Sequence, residues 1–349
     1  MSPHSVQTLL VTGANGYAAG HIIKLALENS YHVKGTVRSK SSVAKLEETF
    51  SQYGPMFSVS IVDDITKPES YEGALDSSVT GVIHTASPFM FEIADKKQDM
   101  LDPAINGAIA ILEAVKRYGS SVRRVVTTSS FAANLDVTQG FRPGYIYTEE
   151  DWCPLTYEAG AAADWGAVSY IASKALSEKA MWDWMKTESP SFSHVVINPA
   201  WIFGPHVPPL ASIDNLNQST SQLWALMDAD KIPTTDFAAF VDVRDVAKIH
   251  IAAFEHPEAA GHRFLVGSHF DYQSAADAAR EELLELRSRI PEGTPGGGWE
   301  EAKSVYSLDA SKAEKMLGIT YTPLNVSMRD SFLELLEAEK LTKGKVTAA

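Results

Sequence analysis

The feature that most restricts this chain is TLLVTGANGYAAGHIIKLAL, residues 8–27, where an apolar run stops on glycine and passes directly into a helical pattern. A strand before and a helix after give the glycines at 13, 16 and 20 a meaning that a bare glycine repeat lacks. Gly13 permits the tight turn, Gly16 lets a pyrophosphate approach the backbone, and the small Ala19 allows close helix packing. The helix N-terminus then points N–H groups at the phosphates. The plain alternative is a glycine-rich βα turn that holds no ligand.

The same alternation continues to about residue 200. Candidate strands are TLLVTG, HVKGTV, FSVSIV, GVIHTA, RRVVTTSS and HVVINPAWIF. Between them lie the helical stretches GHIIKLALENS, PAINGAIAILEAVKRYG and VSYIASKALSEKAMWDWMKTE. Strands buried on both faces read as continuous apolar runs, and intervening helices supply the crossovers of a parallel sheet. The pattern predicts an α/β fold with a doubly wound parallel sheet of the Rossmann type. After Phe203 the texture changes to GPHVPPLASIDNLNQSTSQ, a long loop by its proline, asparagine and serine content. A helix near LWALMDA, a strand and helix over AAFVDVRDVAKIHIAAF, and a flexible connection IPEGTPGGGWEE follow. The expected division is a nucleotide-binding domain over 1–200, to which elements near 236–256 return, and a smaller substrate lobe over most of 201–349.

Composition removes several classes of partner. The formal net charge is -14, whereas nucleic acids and anionic membranes are bound through basic surface, so neither is expected. The single cysteine, Cys153, excludes an internal disulfide and a cysteine-based zinc cluster. It is expected to be a structural or bystander thiol, and no metal is expected. No apolar run is long enough to span a bilayer and no secretory leader is visible, which predicts a cytoplasmic protein. A monomer or a homodimer fits equally.

At the end of the second strand an acidic residue would accept hydrogen bonds from a free ribose 2'-hydroxyl. Here GTVRSKSSVAK offers Arg38 instead, with Lys40 and Lys45 close behind. A guanidinium suits a 2'-phosphate, so NADP is expected rather than NAD; the alternative is a solvated strand-end charge. After the third strand, VDDI offers Asp64 to the adenine amino group, with Ile65 packing nearby, although strand-end aspartates commonly form turns. Further on, SYIASK places Tyr170 and Lys174 on one face of a helix. Such a pair arises by chance, so its meaning depends on the nucleotide site upstream and on the hydroxyls that end RRVVTTSS. A phenol near pKa 10 beside an ammonium would be lowered toward proton exchange at neutral pH.

Taken together, TGANGYAA, HTAS, TTSS and YIASK make the chain resemble the extended short-chain dehydrogenase/reductases. Within them it is similar to the fungal NADPH-dependent aldehyde and methylglyoxal reductases and the plant dihydroflavonol reductases. The resemblance covers almost the whole length, through HTASPF, NPAWIFGP and VDVRDVAK. It implies hydride transfer from NADPH to an aldehyde or ketone to give an alcohol. In that scheme Tyr170 is the general acid, Lys174 lowers its pKa and reaches the nicotinamide ribose, and Ser130 orients the carbonyl. Ser129 is the rival of Ser130, since neighbouring strand residues face opposite sides. Asn106 would support a proton-relay water, with a local backbone bond as its alternative role. The matching motifs also imply cofactor contacts from Gly13, Asn15, Gly16, Tyr17, Thr85, Ser87, Pro199 and Ile202, beside Arg38, Lys45, Asp64 and Ile65.

Phe89 and Phe91 after HTASP, Phe131 after the serine and Trp201 after NP are candidates to surround the substrate, with Trp224 and Met227 as a further wall. Each has a core alternative, and Phe89, Phe131 and Trp201 stand out by their place at strand ends. From Pro199 to Val241 the only Lys or Arg is Lys231. That counts against an NAD-dependent sugar-nucleotide epimerase or dehydratase, which must hold a diphosphate with cations. AVSYIASK replaces the asparagine, tryptophan and cysteine that mark cinnamoyl-CoA reductases. A non-catalytic NADP-binding sensor on this fold would be expected to have lost Tyr170 or Lys174. An apolar pocket bounds the shape and polarity of the substrate without naming it.

Overall fold

The computed structural model describes residues 7–88 and 93–348. The first part runs β1 (Thr8–Thr12), α1 (Tyr17–Glu28), β2 (His32–Val37), α2 (Val43–Thr49), β3 (Phe57–Ile61), β4 (Val79–His84), α3 (Asp102–Tyr118) and β5 (Arg124–Thr128). It continues through β6 (Ile146–Tyr147), α4 (Tyr157–Ala162), α5 (Gly166–Glu188), β7 (Ser193–Pro199) and β8 (Trp201–Phe203). Beyond lie α6 (Gln218–Trp224), β9 (Ala239–Asp242), α7 (Val243–Glu255), β10 (Arg263–Val266), β11 (Ser268–His269), α8 (Tyr272–Glu282), α9 (Gly298–Ala302), β12 (Ser307–Leu308), α10 (Ser311–Leu317) and α11 (Leu324–Ala348).

Seven parallel strands form the main sheet in the order β10-β7-β5-β4-β1-β2-β3. Its apolar runs are explained by burial on both faces. Leu9 and Val11 enter one core cluster with α1 and α7, while Leu10 between them enters another with α3. Val82 and Ile83, and Val125 and Val126, divide in the same way, as the two-residue period of a strand requires. Strand order reverses between β1 and β4, and ligands of such sheets bind outside the carboxyl ends at that point.

Each expected strand is present, but HVVINPAWIF divides at Ala200. β7 stays in the main sheet, whereas β8 pairs with β9 and, beyond it, antiparallel β11 in a separate three-stranded sheet. β10, only four residues long, was not legible as a seventh strand. The helix expected near LWALMDA lies earlier and ends at Trp224, because the Asn217 side chain accepts from the Thr220 N–H at 2.9 Å and starts it there. IPEGTPGGGWEE is tied down rather than free: Thr294 N donates to Gln273 Oε1 at 2.9 Å and Gly296 N to Asp277 Oδ2 at 2.8 Å. α7 packs on α1, β5 and β7. α8 and α11 close on the aromatic core of β8 and β9, around Phe203, Phe240, Phe270 and Phe332. No helix among the described residues is long and apolar enough to cross a membrane.

Candidate active site

The carboxyl ends of β1, β4, β5 and β7 and the first half of α5 bring the candidate residues together. Gly13 adopts φ +64°, and a Cβ there would stand 3.0 Å from the Ala86 backbone, so the turn between β1 and α1 demands glycine on both counts. Gly16 caps α1 without a side-chain hydrogen bond, and no acidic residue lies in the first turn. The N–H groups at that end are therefore left for an anion, which fits a dinucleotide pyrophosphate. Asn15 lies exposed on the turn. The Tyr17 phenol donates to the Gly204 carbonyl at 2.5 Å, and its ring lies 4.3 Å from that of His206. Burial, then the Asp242 and Glu334 carboxylates, push that phenol well above its ordinary pKa.

Beside the turn, Ala14 N donates to Thr36 O at 2.9 Å, joining it to the end of β2. Arg38, Lys40 and Lys45 are exposed there, and none forms an ion pair among the described residues. Three unneutralised cations at this edge suit a 2'-phosphate. Asp64 is committed locally: Oδ1 accepts from Thr66 N and Oγ1 at 3.0 and 2.6 Å, and Oδ2 pairs with Lys67 at 3.1 Å. The Thr66 bonds and Lys67 hold its carboxyl at about 2, the signature of a turn former. Ile65 packs against Gly107 of α3. Thr85 donates to Thr12 O at 2.6 Å.

Among the candidate catalytic residues, the Ser130 hydroxyl lies close enough to the Tyr170 phenol to draw its pKa down. Ser130 Oγ also accepts from Ala132 N at 3.1 Å, capping a short turn. Ser129 points elsewhere, donating to Glu178 at 2.7 Å. Lys174 Nζ donates to Ser87 Oγ at 2.8 Å and stands 5.4 Å from the centre of the Tyr170 ring. The expected lowering of the phenol is not what the protein alone produces. Burial pushes Tyr170 up to about 12, with the Ser130 hydroxyl acting the other way. Burial also brings Lys174 down to about 8. Desolvation outweighs charge because both groups lie within the fold, and each loses its hydration before it gains an ionic partner.

Asn106 is not part of this constellation. It is exposed on α3, whereas Ala104 and Ala108 line a small cavity of about 20 Å³ behind Lys174 with Ser129 and Glu178. Residues two apart on a helix point to opposite sides, so Asn106 faces away. Phe131 is fully buried among the rings of Tyr147, Phe237 and Tyr306, a core position rather than an open pocket wall. Trp201 is half-buried, 5.5 Å from the ring of Phe237, and its Nε1 has no hydrogen-bond partner among the described residues. Ile202 beside it is half-buried and Pro199 is buried at the end of β7. Met227 belongs to the α8–α11 core, with Trp224 packed on it. Phe89 and Phe91 lie outside the described residues. Cys153 is buried, and burial pushes its thiol up. Glu178 escaped the sequence reading, although it stands four residues beyond Lys174 on the stripe that begins at Tyr170.

A family model described as "NAD dependent epimerase/dehydratase family" matches residues 9–267. The NADPH-dependent methylglyoxal reductase of Saccharomyces cerevisiae is 36% identical over 342 residues, covering 95% of this chain and 99% of that protein. A ketoreductase of Aspergillus niger is 36% identical over 338 residues, covering 94% and 97%. The crystal structure of yeast methylglyoxal/isovaleraldehyde reductase complexed with NADPH superposes with a TM-score of 0.88 at 34% identity, covering 95% of this chain and 98% of that one. By the extent of these matches the chain belongs to the epimerase/dehydratase family, the extended short-chain dehydrogenase/reductases.

Proposed function

We propose that this protein is an NADPH-dependent carbonyl reductase that converts an aldehyde or ketone to an alcohol, with Tyr170, Ser130 and Lys174 at its reacting centre. The observation that carries the assignment is the convergence of Ser130 and Tyr170 beside Lys174, at the sheet edge where the Gly13–Gly16 turn leaves an anion site open. The turn residues 13–17, Arg38 and Lys45, Asp64 and Ile65, Thr85 and Ser87, Lys174, and Pro199 with Ile202 would hold NADP. Residues 1–200 form its domain, with 236–256 returning, and most of 201–349 forms the substrate lobe, where Trp201 borders the carbonyl. When bound, the nicotinamide supplies the hydride.

The protein's own groups manage the proton. With a pKa near 12, Tyr170 stays protonated at neutral pH, so it is poised to donate rather than accept. As the carbonyl oxygen gains charge, the Tyr170 O–H bond breaks and the alcohol O–H bond forms, while Ser130 donates a hydrogen bond to the same oxygen. Lys174, anchored on Ser87, then stabilises the phenolate that remains. The assignment extends to a cytoplasmic enzyme acting as a monomer or homodimer on a small carbonyl compound. The names of the relatives put methylglyoxal and isovaleraldehyde first among trial substrates.

Initial rates of NADPH and NADH oxidation with these aldehydes, an aryl ketone and a β-keto ester test the function. At least one should be reduced, and faster with NADPH. Tight NADPH binding with every carbonyl inert would point to the sensor instead.

A further inference from the structure

Glu178 lies one turn beyond Lys174 on α5, and its side chain is only 1% exposed. A buried carboxylate costs several kcal/mol unless its oxygens are bonded and its charge is paired, so its partners indicate what it is for. Oε1 accepts from Arg263 Nε on β10, and from Trp182 Nε1 at 3.3 Å. Oε2 accepts from Ser129 Oγ and from Asn198 Nδ2, each at 2.7 Å. Asn198 Nδ2 also donates to the Ser130 carbonyl at 3.2 Å. Arg263 is fixed in turn by the Glu149 and Asp151 carbonyls.

We propose that Glu178 is a positioning residue for carbonyl reduction. From the helix that carries Tyr170 and Lys174, it holds the Ser129–Ser130 end of β5 and the Asn198 end of β7, and so sets Ser130 Oγ against the Tyr170 phenol. The role rests on Ser130 and Tyr170 facing the substrate oxygen. Its chemistry is specific, because all four partners donate and a carboxylate alone accepts from all four. In Glu178→Gln one end becomes a donor. The charge of Arg263 claims the amide oxygen, leaving NH2 against Ser129 and Asn198. The Ser129 hydroxyl can rotate to accept, but Asn198 must turn its Oδ1 toward the introduced NH2, which removes its bond to the Ser130 carbonyl.

Misplacement of about 1 Å near reacting groups costs about 100-fold, so Glu178→Gln should lower kcat by about 10- to 100-fold. NADPH affinity, read by fluorescence titration, should stay within about threefold, because the turn at Gly13 is untouched. The primary isotope effect on kcat with NADPH deuterated at the nicotinamide C4 should rise as hydride transfer becomes limiting. A merely structural role would lower the melting temperature and the folded fraction and leave the isotope effect unmoved. Should Glu178→Gln fail to fold, Ser129→Ala keeps the Glu178–Arg263 pair and removes one strap, with an expected kcat loss of about 3- to 10-fold and the same rise in isotope effect. Wild-type kcat and isotope effect in the folded variant, with Tyr170→Phe and Ser130→Ala inactive, overturn the role of Glu178. Full activity of Tyr170→Phe and Ser130→Ala would overturn the carbonyl-facing pair instead.

Discussion

Lys174 shows the cost of placing an ammonium inside a packed fold. Its ammonium is nearly buried and brought down to about 8 by loss of solvation. The unfolded chain keeps a lysine near 10.4, so between about pH 8 and 10.4 it binds more protons than the native protein, and stability rises with pH across that window. Below about pH 8 the whole cost is present. Lys174→Met should therefore abolish reduction yet stabilise the fold at pH 7 by about 1–3 kcal/mol, and the gain should fade toward pH 10. Denaturant unfolding at both pH values measures it, and a less stable variant at pH 7 would contradict it. Arg38 makes the complementary prediction for the coenzyme. Its charge is unneutralised among the described residues, so Arg38→Asp should shift the NADPH to NADH ratio of kcat/KM at least about tenfold toward NADH, a change of about 1.4 kcal/mol. An unchanged ratio would remove the 2'-phosphate site. Spacing singled out Gly13, Ser130, Tyr170 and Lys174 in the sequence as candidates, because the proposed chemistry asks for each at a fixed offset. Asn106 was misjudged on helical phase, and Phe131 on burial, which no local pattern encodes.

Among the elements, α1 and the loop after β8 meet so closely that Gly20 is obligatory. A Cβ at Gly20 would stand 2.3 Å from the Val207 carbonyl oxygen. Helix propensity favours Gly20→Ala by about 1 kcal/mol, but the obstacle is backbone and overpacking costs about 1–3 kcal/mol. Gly20→Ala should accordingly destabilise the protein by up to about 2 kcal/mol in urea unfolding, and a more stable variant would refute the contact. The glycine was visible in the sequence, whereas its partner, 187 residues away, was not. The strands were legible because both faces of the main sheet are apolar, and alternation was not needed to recognise them. β8 and β10 were harder, since at three and four residues neither carries enough pattern to show which sheet it joins.

At the scale of the whole molecule, α11 is tied to α1 through one carboxylate. Glu334 on α11 accepts from His206 N at 3.0 Å, His206 Nδ1 at 2.7 Å and Leu210 N at 3.1 Å. The loop it holds receives Tyr17 at Gly204 and His21 at Pro205. Burial works to raise the Glu334 carboxyl, but His206 and the N–H donors prevail and hold it below the usual range. Its contribution is thus present above that range and lost as pH falls through the lowered value. Glu334→Ala should cost about 2–4 kcal/mol at neutral pH by stranding these donors, and should weaken NADPH binding through α1. Unchanged melting and unchanged affinity would show the two helices to be independent.

The most direct measurement is single-turnover reduction by Tyr170→Phe under saturating NADPH, followed by stopped flow beside a fluorescence titration of the coenzyme. Removal of the proton donor should slow the step by about 10²- to 10⁴-fold while NADPH binds as before. A wild-type rate from that variant would contradict the assignment of Tyr170 as the acid.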